Sequence, residues 1–323
     1  MLALASPASL KSVLTPVEAA LALAAGLREG GAEALELPVA DGGEGTAEVI
    51  ASARSGGRWG EAEVTGPLGE PVQARYLVLE DGSAVVEAAE AIGLRRASRL
   101  DPLSASSRGL GQLMLVAAAE TTGTILVCLG DTATVDGGAG LLEVVGGALQ
   151  GRALRAACDV RNPLLGERGA ARAFGPQKGA TPESVQEVAR RLAAMEELRP
   201  YADMPGAGAA GGIGAALAAL GAELVSGAEL VLEQVRFRDA ARTADIVVTG
   251  EGVVDRSTFE GKAPGDVVRV CAQEGVRCVL FGGRLRERPA GVETYELPSG
   301  PERAAADLVE LGRKLAGAKL GVA

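Results

Sequence analysis

Residues 2–46 read LALASPASLKSVLTPVEAALALAAGLREGGAEALELPVADGGEGT, and this stretch decides the fold. The apolar run Leu2–Ser6 predicts a buried strand. Thr15-Pro16-Val17-Glu18 then combines an N-cap, a proline at the first helical position and an acidic third position, which predicts a helix ending near Glu29. The run Ala34–Val39 returns as a second strand. In a strand–helix–strand unit the two strands run parallel and the crossover is right-handed, so a parallel sheet is expected.

Two changes of pattern further along the chain predict how it divides into domains. From Trp59, short strands joined by Gly-Pro and Asp-Gly turns predict an antiparallel meander. The apolar runs Ile246–Thr249 and Cys278–Phe281, with a helix between them, return to the parallel pattern. We therefore expect an α/β fold with two α/β domains. Residues 1–58 and 237–323 are predicted to form a discontinuous domain whose parallel sheet uses both chain ends, and residues 59–236 an inserted domain with a mixed sheet.

Composition and charge exclude several classes of function. The 323-residue chain has 47% hydrophobic but only 2% aromatic residues, which suits helices packed on a sheet and not a protein that stacks aromatic rings on bases. Its formal net charge of −10 repels phosphate backbones and anionic lipids, so neither nucleic acid nor a membrane is an expected partner. An anionic substrate would need a locally positive pocket built from helix N-termini and a few Lys or Arg side chains.

The absence of histidine from the sequence narrows the chemistry further. A His/Cys zinc site and a Ser–His or Cys–His nucleophile pair are excluded, and general-base work falls to Asp, Glu or Lys. The cysteines have no CxxC spacing and are interpreted as reduced thiols of a cytoplasmic protein. The N-terminus lacks the pattern of a signal peptide, which favours the same location.

Three acidic, glycine-rich loops are expected at or near the carboxyl ends of predicted strands. They are Asp41–Thr46, Asp136–Gly140 and Gly250–Asp255. Open α/β sheets bind ligands at the carboxyl ends of their strands, where glycine lets backbone N–H groups approach phosphate and carboxylates can hold Mg²⁺. A tight turn is the alternative interpretation of each loop taken alone.

Other candidate residues lie in turns. Lys11 follows Ser9 between the first strand and the first helix, where it could hold a carboxylate or a transferring phosphoryl group, or simply be solvated. Lys178, Lys262 and the segment Asp159–Asn162 occupy Gly- or Pro-containing turns that are equally typical of a loop and of a site.

Gly206-Ala-Gly208-Ala-Ala-Gly211 matches the dinucleotide pattern GxGxxG and gives an NAD-dependent oxidoreductase as one alternative. No buried strand is predicted before it, so the pattern lacks its usual context. The same glycines could cradle phosphate at a helix N-terminus. The sequence contains no GxxxxGK[ST] motif, so the chain is not a P-loop enzyme.

Motifs along nearly the whole chain resemble, in their order and approximate spacing, those of the bacterial glycerate kinase family. They are Ala40–Thr46, Asp136–Gly140, Asp159 with Asn162–Gly166, Phe174–Thr181, Pro205–Gly212, Thr249–Gly252 with Asp255, and Gly261–Pro264. The resemblance implies an enzyme that phosphorylates D-glycerate with Mg-ATP, usually to 2-phosphoglycerate and sometimes to 3-phosphoglycerate. It also implies two α/β domains, one of them discontinuous, with the active site in the cleft between them. A homodimer is compatible with this resemblance.

The chain departs from that family at two motifs. The family's first strand usually ends in Pro-Asp-Ser-Phe-Lys-Gly, whereas this chain has Pro7-Ala-Ser-Leu-Lys-Ser12, without the aspartate. The family's Gly-Gly-Ser-Ala-Thr-Asn-Asp-Gly-Gly is here Gly130-Asp-Thr-Ala-Thr-Val-Asp-Gly-Gly138. These changes leave a second alternative, a catalytically degenerate relative that binds a sugar acid or a nucleotide without turnover.

The resemblance and the residue chemistry together assign a candidate site. Lys11 would hold the glycerate carboxylate or the γ-phosphoryl group, Asp41 would be the base for the attacking hydroxyl, and Asp136 would lie close to Mg²⁺. The other candidates are Ser9, Gly42, Gly43, Glu44, Asp159 and Asn162 for glycerate; Gly206, Gly208, Gly211, Gly212, Lys178, Thr249, Gly250 and Lys262 for ATP; and Glu251 and Asp255 for Mg²⁺.

Overall fold

A computed structural model describes residues 1–54 and 56–317 of the chain. By its internal contacts the chain divides into two compact units. Unit 1 comprises Met1–Asp41, Glu48–Ser55 and Ala228–Ala323, and unit 2 comprises Gly42–Ala47 and Gly56–Gly227. The domain boundaries expected after residues 58 and 236 stay a prediction.

The described residues form strands β1–β11 and helices α1–α12. The strands are β1 (Leu2–Ala5), β2 (Glu33–Glu36), β3 (Arg58–Thr65), β4 (Pro71–Val78), β5 (Ala84–Glu87), β6 (Ile125–Cys128), β7 (Leu154–Ala157), β8 (Glu223–Val225), β9 (Ile246–Val254), β10 (Arg277–Leu285) and β11 (Glu293–Glu296). The helices are α1 (Pro16–Glu29), α2 (Thr46–Ala53), α3 (Ala88–Ile92), α4 (Arg108–Glu120), α5 (Ala139–Val145), α6 (Ala170–Phe174), α7 (Pro182–Ala193), α8 (Ala209–Ala219), α9 (Gly227–Gln234), α10 (Phe237–Thr243), α11 (Ala263–Glu274) and α12 (Ala304–Gly317).

Unit 1 contains a sheet with the strand order β11-β10-β9-β1-β2, in which every neighbouring pair is parallel. Strand β1 pairs with β2 on one side and with β9 on the other, so the N-terminal strand and the C-terminal segment share one sheet. Helices α1 and α12 cover this sheet, and Leu23 and Leu308 join Ala5 and Phe281 in its core. The parallel sheet expected from both chain ends is confirmed.

Unit 2 contains a second sheet with the strand order β3-β4-β5-β6-β7-β8. The pairs β3–β4 and β4–β5 are antiparallel, and the pairs from β5 to β8 are parallel. Its buried core includes Tyr76, Leu110, Leu113 and Ile213. The antiparallel meander and the mixed sheet expected from the sequence are confirmed.

Strand β9 is longer than its apolar run. The sequence predicted a strand ending at Thr249 and a loop over Gly250–Asp255, but β9 continues to Val254. The neighbouring strand β10 runs beside it to Leu285 and pairs with Glu251 and Val254. The predicted loop was therefore wrong, because pairing with a neighbouring strand overrides a local pattern of glycine and glutamate.

Helix α1 begins and ends at the residues that the sequence predicts. The Thr15 hydroxyl accepts a hydrogen bond from the Glu18 backbone N–H (3.2 Å), and the Glu18 carboxylate accepts one from the Thr15 N–H (2.8 Å). These two bonds form a capping box, which satisfies donors that a helix N-terminus otherwise leaves unpaired. The bonds to Thr15 also lower the pKa of the Glu18 carboxyl group.

Glycines allow α1 and α12 to pack with their backbones in contact. A methyl group added at Gly26 would lie 1.9 Å from the carbonyl oxygen of Val309. One added at Gly312 would lie 2.5 Å from the carbonyl oxygen of Leu23. Both glycines have helical backbone conformations, so their role is close approach and not an unusual turn.

We predict that Gly26→Ala lowers the free energy of unfolding by about 1–3 kcal/mol, because the added methyl group would overlap a backbone atom that cannot swing away. Urea denaturation of purified protein measures this change. The matched control is Gly317→Ala in α12, where a methyl group meets no atom within 4 Å. An equal loss of stability in both variants would contradict the packing explanation.

Candidate active site

The carboxyl edge of the unit 1 sheet brings together several residues that the sequence singled out. The backbone N–H of Ala8 donates to the carbonyl of Gly250 (2.9 Å), and the N–H of Val39 donates to the carbonyl of Pro7 (3.0 Å). The segment after β1 therefore lies between β9 and the segment after β2. Because β1, β2 and β9 are parallel, Lys11 and Asp41 follow their strands at the same edge, and both are exposed.

A second contact connects the Lys11 segment with the far part of β9. A methyl group built at Gly252 would lie 3.6 Å from the backbone N of Lys11 and 3.6 Å from the Cα of Leu10. Ser9, in the same segment, is half-buried. The predicted residues Ser9, Lys11, Asp41 and Glu251 thus share one edge of unit 1.

Glu251 lies in a network of polar side chains at this edge. Its Oε1 accepts a hydrogen bond from the Thr258 hydroxyl (2.6 Å), and its Oε2 forms an ion pair with the Lys262 Nζ (3.2 Å). The Thr258 hydroxyl also accepts a hydrogen bond from the backbone N–H of Asp255 (3.0 Å). The Glu251 side chain is only 12% exposed, and both of its carboxylate oxygens are bonded. These bonds therefore hold the side chain in one orientation.

Asp255 caps the short 3-10 turn Arg256–Phe259 that follows β9. Its Oδ1 accepts hydrogen bonds from the Ser257 backbone N–H (2.9 Å) and the Ser257 hydroxyl (2.5 Å). These bonds to Ser257 lower the pKa of the Asp255 carboxyl group, and the positive charges of Lys262 and Arg286 lower it further. Asp255 is therefore ionised at neutral pH.

Thr249 and Gly250, which the sequence predicts to contact the nucleotide, have structural contacts inside the sheet. Thr249 is fully buried, and its hydroxyl donates to the carbonyl of Ser6 (2.7 Å). A side chain at Gly250 would begin 2.2 Å from the carbonyl oxygen of Phe281. In this structure the Thr249 hydroxyl joins β9 to the segment after β1, and Gly250 allows β10 to approach.

In unit 2, the acidic segment of residues 42–47 packs against the ends of the parallel strands. Gly130 contacts Gly43: a methyl group added at Gly130 would lie 2.4 Å from the Cα of Gly43. A methyl group added at Gly42 would lie 2.8 Å from the Cβ of Ala157. Gly42 and Gly45 both have positive φ angles, which glycine adopts without strain. The side chain of Glu44 is exposed and lies 3.6 Å from Arg95.

Glu87, the last residue of β5, is a residue of this site that the sequence reasoning missed. The residue is 5% exposed, and its carboxylate accepts hydrogen bonds from the backbone N–H groups of Gly45 (3.2 Å) and Ala47 (2.6 Å). A glutamate at the end of an apolar strand is the one signal that the sequence offered, since buried carboxylates are rare unless they are bonded.

Asp136 is bonded on both carboxylate oxygens to its own unit. Its Oδ2 accepts hydrogen bonds from the N–H and the hydroxyl of Ser107, both at 2.8 Å, and from the N–H of Gly140 (3.2 Å). Its Oδ1 accepts one from the N–H of Gly138 (3.1 Å). Asp136 therefore ties the start of α5 to Ser107, the N-cap residue of α4, and these donors account for the aspartate without a ligand.

Lys178, predicted as a nucleotide contact, is buried beneath residues 132–134. Its Nζ donates to the Thr132 hydroxyl (2.9 Å) and to the carbonyl of Thr134 (2.8 Å), and the residue is 3% exposed. Burial lowers the pKa of Lys178 to about 7, and the charges of Asp136 and Asp131 offset part of this effect. Through these two hydrogen bonds the Lys178 amine holds residues 132–134 in place.

The glycines of residues 206–212 pack against other backbone segments of unit 2. Added methyl groups would lie 2.7 Å from the Cys158 Sγ at Gly206, 2.3 Å from the Pro163 carbonyl oxygen at Gly208, 2.1 Å from the Thr134 carbonyl oxygen at Gly211 and 2.8 Å from the Gly137 Cα at Gly212. The N–H of Gly208 already donates to the carbonyl of Asn162 (2.9 Å). Close packing within the chain therefore explains the GxGxxG spacing.

Asp159 and Asn162 follow β7 and have partners within unit 2. Asp159 Oδ1 accepts a hydrogen bond from the N–H of Gly227 (2.8 Å), the first residue of α9. Asn162 Nδ2 donates to the carbonyl of Arg168 (2.7 Å). Both residues therefore shape the carboxyl end of the second sheet.

A pocket of about 330 Å³ opens within unit 2 beside Glu87. Its polar lining residues are Glu44, Glu87, Glu90, Arg95, Arg96 and Asp131. Glu90 is held by Arg75 (3.2 Å) and Arg96 (2.9 Å). The carboxylates outnumber the guanidinium groups, so the pocket is polar and net negative.

Comparison with known proteins connects these features to one family. A model of the Glycerate kinase family matches residues 3–153 and 147–300. The chain belongs to the glycerate kinase family. The family recognised from the ordered motifs is therefore confirmed.

Relatives in this family match over most of their length. The chain is 39% identical to a glycerate kinase of Halalkalibacterium halodurans, over 87% of this chain and 84% of that protein. It is 39% identical to the glycerate 2-kinase of Escherichia coli, over 87% of this chain and 85% of that protein. A crystal structure of a protein described as glycerate kinase 2 from Salmonella typhimurium superposes with a TM-score of 0.87 at 34% identity, covering 99% of this chain and 98% of that one.

Residues 1–54 and 56–317 lack both a candidate membrane span and a candidate metal cluster. No helix in these ranges has the length and apolar character needed to cross a membrane. Nor does this part of the chain contain a group of three or more Asp, Glu or Cys side chains arranged to hold a metal ion.

Asp136→Asn is expected to lower the free energy of unfolding by about 2 kcal/mol, because an amide cannot accept all the hydrogen bonds that the carboxylate accepts. Urea denaturation measures the loss. The control is Asp131→Asn, at an exposed position with a positive φ that asparagine tolerates, and its stability should change little. Unchanged stability of Asp136→Asn would contradict the anchoring role of this carboxylate.

The buried lysine gives a pH dependence of stability with a defined sign. Lys178 loses its proton near pH 7 when folded and near pH 10.5 when unfolded, so the unfolded chain binds more protons between these values. Stability due to this group therefore rises with pH, by up to about 1.4 kcal/mol per pH unit. Relative to Lys178→Met, the wild type should gain stability between pH 7 and pH 9.5. Lys11→Met, at an exposed lysine, serves as the control, and parallel curves for wild type and Lys178→Met would refute the shift.

Proposed function

We propose that this chain is a glycerate kinase that transfers the γ-phosphoryl group of ATP to a hydroxyl of D-glycerate and forms 2-phosphoglycerate. Membership of the family is the observation that carries the proposal, since relatives named glycerate kinase and glycerate 2-kinase match most of the chain. ATP is the phosphoryl donor that this family implies. The unit 1 edge supports the proposal, because it offers an exposed carboxylate and an exposed lysine on a rigid parallel sheet.

Asp41 and Lys11 have the chemistry that phosphoryl transfer needs from a protein. Positioning and charge neutralisation dominate this reaction, and an aspartate that accepts the proton of the attacking hydroxyl is sufficient as a base. We assign that role to Asp41. Lys11 follows β1 at the same edge, and we assign its ammonium group to the glycerate carboxylate or the γ-phosphoryl group. The family's aspartate is replaced by Ala8, but Asp41, Glu251 and Asp255 keep carboxylates at this edge.

The donor set at the unit 1 edge fits a Mg²⁺ ion bound together with ATP. ATP and glycerate are anions that would bind beside the carboxylates of Asp41, Glu251 and Asp255, so a divalent cation would offset the repulsion. Protein sites for Mg²⁺ typically use one or two carboxylates and leave the remaining ligands to phosphates and water. We assign Glu251 and Asp255 to this role. Bound Mg²⁺ would supply charge neutralisation on the phosphate oxygens.

Several residues predicted for catalysis or ATP receive a different role in this proposal. Asp136 and Lys178 hold the segments of unit 2 that they contact, and the glycines of residues 206–212 allow backbone packing there. In the same way, Thr249 and Gly250 support β9 from inside the sheet. Mutation of these residues should therefore act first on stability.

Two broader predictions remain part of the proposal. A cytoplasmic location agrees with the cysteines, since Cys128, Cys158, Cys271 and Cys278 are all free thiols. A homodimer is proposed as the assembly, and light scattering of the purified protein measures its mass.

The proposed function is tested by a coupled assay of ADP release with Mg-ATP and D-glycerate. Reactions with L-glycerate, with tartronate and without acceptor are the controls, and chromatographic separation of 2- and 3-phosphoglycerate identifies the hydroxyl that reacts. Turnover that depends on D-glycerate is expected. Folded protein that binds ATP but shows no turnover with any acceptor would overturn the proposal and leave a binding protein.

For Asp41→Asn we predict a loss of kcat of about 10²–10⁴-fold, because the variant lacks the general base, with a smaller change in the KM for D-glycerate. Steady-state kinetics measure both parameters. The matched control is Asp245→Asn, since Asp245 directly precedes β9 at the opposite edge of the same sheet and bonds the Leu2 N–H (2.8 Å). An unchanged kcat in Asp41→Asn would remove the base assignment.

A further inference from the structure

The buried carboxylate of Glu87 has no role in the chemistry described above. It ends β5, where Glu87 is paired with Cys128 of the parallel strand β6. Placing a carboxylate in a buried position is costly unless it accepts several hydrogen bonds. Its position at the carboxyl end of the strand places it at the edge where this class of sheet binds ligands.

The partners of Glu87 come from a distant part of the chain. Its two oxygens accept hydrogen bonds from two different backbone N–H groups, those of Gly45 and Ala47, which lie 42 and 40 residues away in sequence. Hydrogen bonds to an ionised acceptor are stronger than those between neutral groups. Glu87 therefore restrains the backbone at two points within residues 42–47.

One local hydrogen bond also restrains this segment. The N–H of Thr46 donates to the carbonyl of Gly43 at 3.3 Å, a long hydrogen bond, and both Gly42 and Gly45 have positive φ angles. Contacts with Gly130 and Ala157 limit how far Gly43 and Gly42 can approach the sheet, but they are not directional. The two bonds to Glu87 are thus directional restraints that come from outside the segment.

We propose that Glu87 is the positioning residue of the segment 42–47, and that it thereby restrains the backbone that directly follows Asp41 in the chain. The inference rests on the proposed function, because it gives Asp41 the role of base. A displacement of about 1 Å in a reacting group can reduce the rate by 10²-fold, so loss of the restraint should act on kcat.

Glu87→Gln is the variant that tests this role with the least change in shape. A carboxamide has one acceptor oxygen, and its NH₂ group would face a backbone N–H, so one of the two bonds is lost. Glu87→Asp keeps both oxygens on a shorter side chain and should retain part of the restraint. Glu90→Gln is the matched control: Glu90 lines the same pocket, its side chain is 14% exposed, and it bonds Arg75 and Arg96 instead of the segment 42–47.

We expect Glu87→Gln to lower kcat by about 10–100-fold, with the KM for ATP within about twofold of that of the wild type. The kcat of Glu87→Asp should lie between those of the wild type and Glu87→Gln. Glu90→Gln should keep the wild-type kcat even where its Tm falls as far as that of Glu87→Gln. Hydrogen exchange followed by mass spectrometry should show faster exchange in peptides covering residues 42–47 for Glu87→Gln and not for Glu90→Gln.

The outcomes that overturn the inference are distinct from failure of the proposed function. Wild-type kcat in Glu87→Gln, or equal losses of kcat in Glu87→Gln and Glu90→Gln, would show that Glu87 positions nothing in the reaction. Unchanged exchange of residues 42–47 in Glu87→Gln would show that the restraint itself is wrong, and this readout needs no kinase activity. Failure of the proposed function is instead recognised in the wild type alone, by the absence of acceptor-dependent ADP release.

Discussion

The parallel pairing of β1 with β9 is the constraint on which the rest of unit 1 depends. It places Ala3 beside Ile246, so two segments from opposite ends of the chain share one sheet. Because β2 and β10 join the same sheet in the same direction, the segments that follow these strands meet at one edge. Lys11, Asp41 and the pair Glu251 and Asp255 share this edge for this reason, although these three parts of the chain lie far apart in sequence. The long insertion between β2 and β9 is accommodated by forming a sheet of its own.

Carboxylates in this acidic protein serve largely as anchors for backbone segments. Asp136 accepts hydrogen bonds from two segments of unit 2, and Glu87 accepts them from the segment 42–47. Such bonds are strong because the acceptor is charged, and they hold segments that glycine leaves conformationally free. The same residue types at the ends of strands can therefore bind ligands or hold loops. Only the donors that surround each one distinguish the two uses.

Glycine replaces large side chains as the means of close packing in a chain with few aromatic residues. Helices α1 and α12 approach through Gly26 and Gly312, and Gly211 lies against the backbone at Thr134. The sequence pattern alone presents the Gly206–Gly212 segment as a candidate phosphate cradle. Its glycines are explained by neighbouring backbone, which no local pattern can reveal because those neighbours lie far away in sequence.

The sequence by itself determined the elements that local signals specify. The capping box placed α1, the turns placed the meander of β3, β4 and β5, and the ordered motifs identified the family. Only the tertiary structure decided the extent of β9, the buried state of Lys178 and Thr249, and the partners of Asp136 and Glu87. The physical reason is the range of the interactions. Helix caps and turns depend on residues a few positions apart, whereas strand pairing, desolvation and the bonding of a carboxylate depend on groups that only the folded chain brings together.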